Sequence, residues 1–496
     1  MHRFRALLKS VLPAVAAAAL PLHLAAQIAP AEYAARREAL LARMDSGVVV
    51  AFGNVEPVDF WPTFAQHPAF EYLTGFGEPD AALVLVKRRG ASSARIYVPP
   101  HNFRSEQFSG PRVGPAEVQA ATGIPGGELK ELRGAVDSLL ASGLPLYTLS
   151  DVPAYEYTQA DSLTRGSSFA AALGRARPGL RVESLDSVVF QMRARKSPAE
   201  LALLRRAAEI SAAAHREAMR ALAPGCNEGE IQAVLEGTFR RMGGERPGYG
   251  SIVGSGPNAL ALHYMRNTRV ARAGEVMVID AATSYQHYVA DVTRTLPVSG
   301  RFTPDQRAIY QLVLDAQTAF VKEIAPGKSF FDAFNAGERV VAAGLARLGL
   351  VEAPDALFDS SDPCRPGGCR QAELFAWHGY GGHGIGLEVH DAAQYYARPN
   401  NVFAPGDVFT VEPGIYVTPS RLDRLPDTPR NRAMIARLRP VMQRYANIGV
   451  RIEDDYAITA NGVELLSGGV PSAPAAVEAL MAQPSPPLPG GGTCGS

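Results

Sequence analysis

Four apolar residues, Val276-Met277-Val278-Ile279, run without interruption into Asp280, and the β-branched-rich stretch Tyr288-Val289-Ala290-Asp291-Val292-Thr293-Arg294-Thr295 follows after a short gap. Two such runs around a turn predict a β-hairpin. With the turn centred on Tyr285-Gln286, Asp280 and Asp291 face each other across the strands, on the same side, with Cβ atoms roughly 5 Å apart. Like charges that close are destabilising unless a shared proton, an arginine or a cation neutralises them. A divalent metal is the preferred reading, and a pair of aspartates on a solvated turn is the alternative that the hairpin alone leaves open.

Further metal-capable side chains follow downstream. They fall in Gly382-His383-Gly384-Ile385-Gly386, in His390-Asp391, in Thr410-Val411-Glu412-Pro413-Gly414 and in Arg451-Ile452-Glu453-Asp454. Each sits beside glycine or within an apolar run, where an unpaired charge is costly to bury. In order and local motif, Asp280, Asp291, His383, Glu412 and Glu453 resemble the metal ligands of the pita-bread metallopeptidases: aminopeptidase P, prolidase and methionine aminopeptidase. The resemblance extends over residues 31–481. It implies an α/β N-terminal domain of the creatinase/prolidase type followed by an α+β pita-bread catalytic domain.

Four carboxylates against one imidazole suit hard, oxygen-preferring divalent ions rather than a thiolate-rich zinc site. Their charge balances two M²⁺ ions, with manganese first and cobalt or zinc as alternatives. By family analogy Asp291 and Glu453 bridge the ions, Asp280 holds one, and His383 with Glu412 holds the other. The resemblance also assigns His390 to the oxyanion, Glu412 to proton transfer and Arg451 to support of the ligands. It makes His263, His378 and His390 substrate-binding groups, although a lone histidine such as His263 is by itself more often structural. The sequence departs from the family pattern in three places. Ala282 replaces a usual glycine, an extra residue separates His378 from His383, and residues 417–447 are longer than in typical bacterial aminopeptidases P and resemble prolidases in length.

The N-terminal region carries basic residues, then an apolar, alanine-rich run from Ser10 to Ala26 broken by Pro13 and Pro21. This predicts a secretory signal over residues 1–26 and export to the periplasm or outside the cell, with no stable membrane anchor, which needs about 20 uninterrupted apolar residues. Only four cysteines occur in the 496 residues. Cys364 and Cys369 flank a Pro-Gly turn within disulfide reach, and a zinc site is the weaker reading there. Zero formal net charge and the lack of long Lys/Arg runs argue against a nucleic-acid partner.

Residues 27–190 alternate short strands (47–52, 82–86, 95–98, 144–148) with helices (31–44, 128–141), an α/β pattern. Phe70-Glu71-Tyr72-Leu73-Thr74-Gly75-Phe76 and Gly110-Pro111-Arg112-Val113-Gly114 resemble the N-terminal domain of aminopeptidase P and prolidase. Residues 182–191 read as a strand entering a link. The catalytic domain is expected over 191–470, with its first helix capped by Ser197, Pro198 and Glu200. Residues 471–496 are expected to form a largely disordered tail.

The expected function is therefore removal of the residue before proline by a metal-dependent exopeptidase acting on proline-containing peptides, in a homo-oligomer such as a dimer or tetramer. Proline lacks the N–H that many proteases use and fixes φ, so such bonds need a specialised enzyme. Xaa-Pro dipeptidase activity and a non-catalytic pita-bread binding module are the competing readings. The second would be marked by missing ligands, and all five are present. A creatinase-type hydrolase of the same fold does not keep this metal set. Seven arginines within residues 417–447 (421, 424, 430, 432, 437, 439 and 444) are candidates to close the site on a dipeptide carboxylate, or are a solvated helix face.

Overall fold

The computed structural model describes residues 28–57, 63–149, 164–364, 367–376, 381–391 and 401–484. The proposed signal, His378 and the last residues of the tail lie outside them.

The N-terminal half is built on a six-stranded mixed sheet, β1 (Gly47–Phe52), β2 (Ala82–Arg88), β3 (Ala91–Val98), β4 (Gly126–Glu128), β5 (Leu146–Thr148) and β6 (Val182–Ser184), in the order β4-β3-β2-β1-β5-β6. β1 is buried along its whole length, as a near-continuous apolar strand at the centre of a covered sheet must be. Helices α1 (Pro30–Ala42), α2 (Pro68–Thr74), α3 (Phe103–Ser109), α4 (Val118–Thr122), α5 (Leu132–Leu140) and α6 (Arg165–Ala176) accompany it. The expected strand over 182–191 forms only in its first three residues, Val182–Ser184, and α7 (Asp186–Arg193) takes the rest, placing Val189 on its buried side.

After Ser197, α8 (Pro198–Ala221) opens with the expected capping box, the Ser197 hydroxyl accepting from the Glu200 N–H while the Glu200 carboxylate accepts from the Ser197 N–H. A second capping box, Asn227 with Glu230, starts α9 (Glu228–Arg241). Short strand β7 (Arg246–Pro247) and then β8 (Ile252–Ser255), β9 (Val276–Asp280) and β12 (Thr293–Pro297) follow, with β8 and β12 flanking β9 in an antiparallel sheet. Between β9 and β12 the chain leaves this sheet as a small hairpin, β10 (Thr283–Tyr285) and β11 (Tyr288–Val289).

Among the described residues the remaining α-helices are α10 (Pro304–Lys322), α11 (Phe330–Arg347), α12 (Pro429–Arg444) and α13 (Pro474–Met481). Two-stranded pairs join β13 (Leu357–Phe358) to β14 (Cys369–Arg370) and β16 (Gly414–Tyr416) to β17 (Gly449–Arg451), and β15 (Val408–Val411), β18 (Asp454–Thr459) and β19 (Gly462–Leu465) form a three-stranded sheet. Cys364 and Cys369 are joined in a disulfide with Cα atoms 4.9 Å apart. The expectation of disorder from residue 471 onward fails for α13. Pro474 suits its first turn, and Val477 and Leu480, three apart, share one face and are buried in the catalytic core.

One apolar cluster crosses between the two halves, holding Phe70, Tyr72 and Leu83 together with Leu204, Tyr288, Ala290 and Ile385. An ion pair crosses the contact, at Glu200. Glu200 accepts from the Tyr288 hydroxyl at 2.9 Å and lies 3.2 Å from the Arg36 guanidinium of α1. Among the described residues no helix is long and apolar enough to cross a membrane.

Candidate active site

The hairpin forms, with a register two residues from the expected one. Tyr285 pairs with Tyr288, so the turn lies at Gln286-His287, both with positive φ, and Asp280 is opposite Thr293 rather than Asp291. The reason is local: residues able to enter the left-handed region set the turn, and the ladder follows from it. A shift of two preserves the face, so Asp280 and Asp291 still converge. The tyrosyl oxygen of Tyr249 lies 2.6 Å from the Asp280 carboxylate and 2.5 Å from that of Asp291. Ala282, where a glycine is usual, is buried and is not among the residues with positive φ.

The other candidate ligands arrive from three further segments. His383 precedes a turn held to β15, its N–H donating to the Thr410 hydroxyl and its carbonyl accepting from the Thr410 N–H at 2.8 Å. Gly382 is required there, because a side chain would run into the Thr410 carbonyl. Glu412 follows β15, and Glu453 lies between β17 and β18 in reciprocal backbone hydrogen bonds with Thr293. The Thr293 hydroxyl donates to Glu453 at 2.6 Å. His383 Nε2 lies 3.4 Å from both an Asp291 and a Glu412 oxygen.

Asp280, Asp291, His383, Glu412 and Glu453 together with His263, His390 and Arg451 line one cavity of about 270 Å³. Asp280, Asp291 and Glu453 are buried, whereas Glu412 is the partly exposed carboxylate of the set. Burial first, then Asp280 and Asp455, pushes the Asp291 carboxyl well above the usual range. Burial and then Asp291 and Glu412 do the same to Glu453. Such a cluster is electrostatically unbalanced by the protein alone. Arg451 is a nearby cation, ion-paired with Asp280 and 3.9 Å from Glu453. The donor set therefore fits divalent cations, and Asp291, His383 and Glu453 each offer an atom within 4.8 Å of the others.

The histidine rings of His383 and His390 meet edge to face, centroids 4.3 Å apart. Burial, followed by the neighbouring His383 and His263, pushes His390 down to about 3, so its imidazole is neutral at physiological pH. His263 stands exposed on the cavity wall. Arg451 also donates to the Tyr416 hydroxyl at 3.0 Å and to the Thr293 hydroxyl at 3.2 Å, which fixes its orientation between the strands.

Tyr249 and Tyr416 are site residues that sequence reasoning missed. An aromatic between two glycines, Gly248-Tyr249-Gly250, is a weak signal that did precede a strand leading to the site. Burial and the adjacent carboxylates hold the Tyr249 phenol well above its ordinary pKa, so it remains a donor, able to serve one aspartate at a time. The arginines of residues 417–447 do not reach the cavity. Arg430 pairs with Asp359, Arg432 with Asp427, Arg437 with Glu352, Arg439 with Asp423 and Arg444 with Asp305, while Arg421 donates to the Leu374 carbonyl.

Comparison with known proteins agrees with this geometry. Residues 202–460 match metallopeptidase family M24, and residues 33–144 match the aminopeptidase P N-terminal domain. The Xaa-Pro aminopeptidase of Escherichia coli is 33% identical over 92% of this chain and 98% of its own. That of Haemophilus influenzae is 32% identical, again over 92% and 98%. Proline aminopeptidase P II from Yersinia pestis superposes with a TM-score of 0.75 at 32% identity, covering 92% of this chain and all of its own, and aminopeptidase P from E. coli with the inhibitor Pro-Leu with 0.76 at 31%. The chain thus belongs to metallopeptidase family M24, as a pita-bread metallopeptidase that carries an aminopeptidase P N-terminal domain.

Proposed function

We propose that the protein is a dinuclear, manganese-preferring Xaa-Pro aminopeptidase that removes the residue preceding proline from peptides longer than a dipeptide. The observation that carries this reading is the convergence of four carboxylates and one imidazole in a single cavity that also presents His263, neutral His390 and Arg451. Asp280, Asp291, His383, Glu412 and Glu453 would hold two divalent ions, whose chemistry there would be to lower the pKa of a bound water and polarise the scissile carbonyl. Glu412, the more accessible carboxylate, takes the proton of the attacking water and passes it to the prolyl nitrogen, which leaves as a secondary amine. His390 is uncharged and donates an N–H to the oxyanion. Tyr249 and Thr293 orient the carboxylates of Asp280, Asp291 and Glu453 through their hydroxyls.

The preference for longer peptides rests on arginine placement. A dipeptidase needs a cation for the terminal carboxylate, most naturally an arginine. None of the seven arginines of residues 417–447 lines the cavity, six of them are engaged elsewhere, and the cavity's Arg451 is committed to Asp280 and Tyr416. A manganese-supplemented digest of an Xaa-Pro dipeptide beside an Xaa-Pro-Yaa peptide tests this. The longer peptide is expected to be cleaved at least as well, and strict dipeptide preference would overturn the assignment. Export belongs to the same reading and rests on the character of residues 1–26. N-terminal sequencing of protein recovered outside the cytoplasm, starting near Gln27, is the expected result.

A further inference from the structure

Two cations from the link between the domains end beneath the loop that carries His390. Arg193 closes α7 and Lys196 precedes the Ser197 cap of α8, and both are buried, at 5% and 7% exposure. Buried cations need opposite charges, and both find them on the same short loop between His383 and Asp391, Lys196 through an ion pair alone, since its Nζ makes no hydrogen bond. The Arg193 guanidinium donates to Glu388 at 2.6 Å and to Oδ1 of Asp391, and the Lys196 ammonium lies 3.1 Å from Oδ2 of Asp391. Asp391, 1% exposed, is thereby held by both carboxylate oxygens, and its N–H donates to the Gly384 carbonyl at 2.8 Å.

The packing leaves no slack. A side chain on Gly386 would strike the Asp391 carboxylate and Cε of Lys196. Lys196 is itself fixed, its N–H donating at 2.8 Å to the carbonyl of Gly406 just before β15, the strand that leads to Glu412. The loop therefore closes on itself between Gly384 and Asp391, with His390 next to the pinned residue. Replacing a buried ion pair by apolar groups is often neutral for stability, so the charges call for a role other than holding the fold.

We propose that Lys196 and Arg193 are positioning residues for His390, acting through Asp391. The inference deepens the assignment of His390 to the oxyanion and rests on it. The link between the domains, and not only the catalytic domain's own strands, then sets the direction of the His390 N–H.

The test is a double-mutant cycle in the manganese-loaded enzyme. Lys196→Met leaves Asp391 paired with Arg193. It is expected to lower kcat roughly ten- to a hundredfold with KM and metal content little changed, and to shift the His390 ring resonance in the NMR spectrum of the metal-free protein, where no paramagnetic ion broadens it. In a His390→Ala background the same substitution is expected to cause no further loss, whereas a merely structural role gives losses that multiply. Should Lys196→Met fail to fold, the same cycle with Arg193→Lys, which keeps both positive charges, reads the same coupling. Wild-type kcat in Lys196→Met beside an impaired His390→Ala overturns the inference, as does a multiplying double mutant. His390→Ala at the wild-type rate overturns instead the role given to His390 itself.

Discussion

Glu453 and Asp454 are neighbours in the chain and both are buried, yet they meet opposite electrostatic surroundings. Asp454 faces the core, where Arg294 donates to it at 2.7 Å, Gln317 at 3.0 Å, and the Ser467 hydroxyl completes the set. Glu453 faces the cleft, where Asp291, Asp280 and Glu412 crowd it and its hydrogen-bond donor is Thr293. Successive residues of an extended chain point to opposite sides, so one step along the backbone separates a balanced charge from an unbalanced one. The balanced side stabilises the fold, and the unbalanced side stores the affinity for cations. Functional sites are where such imbalance is retained.

This contrast makes opposite predictions for charge removal on its two sides. Asp291→Asn should leave the fold intact, since it lessens repulsion in the metal-free protein, and yet reduce peptide hydrolysis on the order of 10³-fold or more. Activity assays alongside circular dichroism check it, and near-wild-type turnover at full metal content would remove Asp291 from the ligand set. Arg294→Met should act the other way. It strands Asp454 without its cation at a site where Arg294 is 1% exposed, and should lower stability by about 3–5 kcal/mol in denaturant titration. An unchanged midpoint would mean that Asp454 is not balanced as described.

Tyr249→Phe probes the boundary between the two regimes, since it removes one hydroxyl and no charge. Roughly a ten- to hundredfold loss in metal affinity or rate is expected, with thermal stability close to wild type. Retention of both affinity and rate would reduce Tyr249 to a cavity wall.

A smaller effect should appear in the pH dependence of stability. Asp291 and Glu453 have folded-state pKa values above those of the unfolded chain. In the metal-free protein their contribution is therefore most favourable below the unfolded value near 4 and is lost as pH rises toward the folded value. Metal binding removes that cost, because it displaces the same protons. The rise in Tm produced by manganese should consequently grow between pH 5 and pH 8. A shift independent of pH in paired thermal scans would contradict the site's protonation. The smallest expectation concerns the exposed arginines. Replacing Arg430, Arg432 and Arg439 together by Ala should change stability by less than about 1 kcal/mol per pair and leave the ratio of dipeptide to longer-peptide cleavage unaltered. A changed ratio would restore them as a clamp for the terminal carboxylate.

Much of this was legible in local sequence. The apolar run ending in Asp280, the glycine-flanked His383, the Ser197 and Glu200 capping box and the Cys364 to Cys369 turn each express a constraint that acts within a few residues. Together with the resemblance to the pita-bread motifs, that made five candidate ligands nameable, and the structure brings all five into one cavity. The hairpin register was not legible, because two positive-φ residues, Gln286 and His287, moved the turn. Nor was α13, whose ordering depends on a core that accepts Val477 and Leu480 from a distant part of the chain. The consecutive acids Glu453, Asp454 and Asp455 look alike as letters. Only the tertiary structure decided that the second meets Arg294 while the first meets other carboxylates, and that Lys196 and Arg193 close beneath His390. Electrostatic roles depend on distance in space, and partners some 160 to 200 positions apart leave no local trace in the chain.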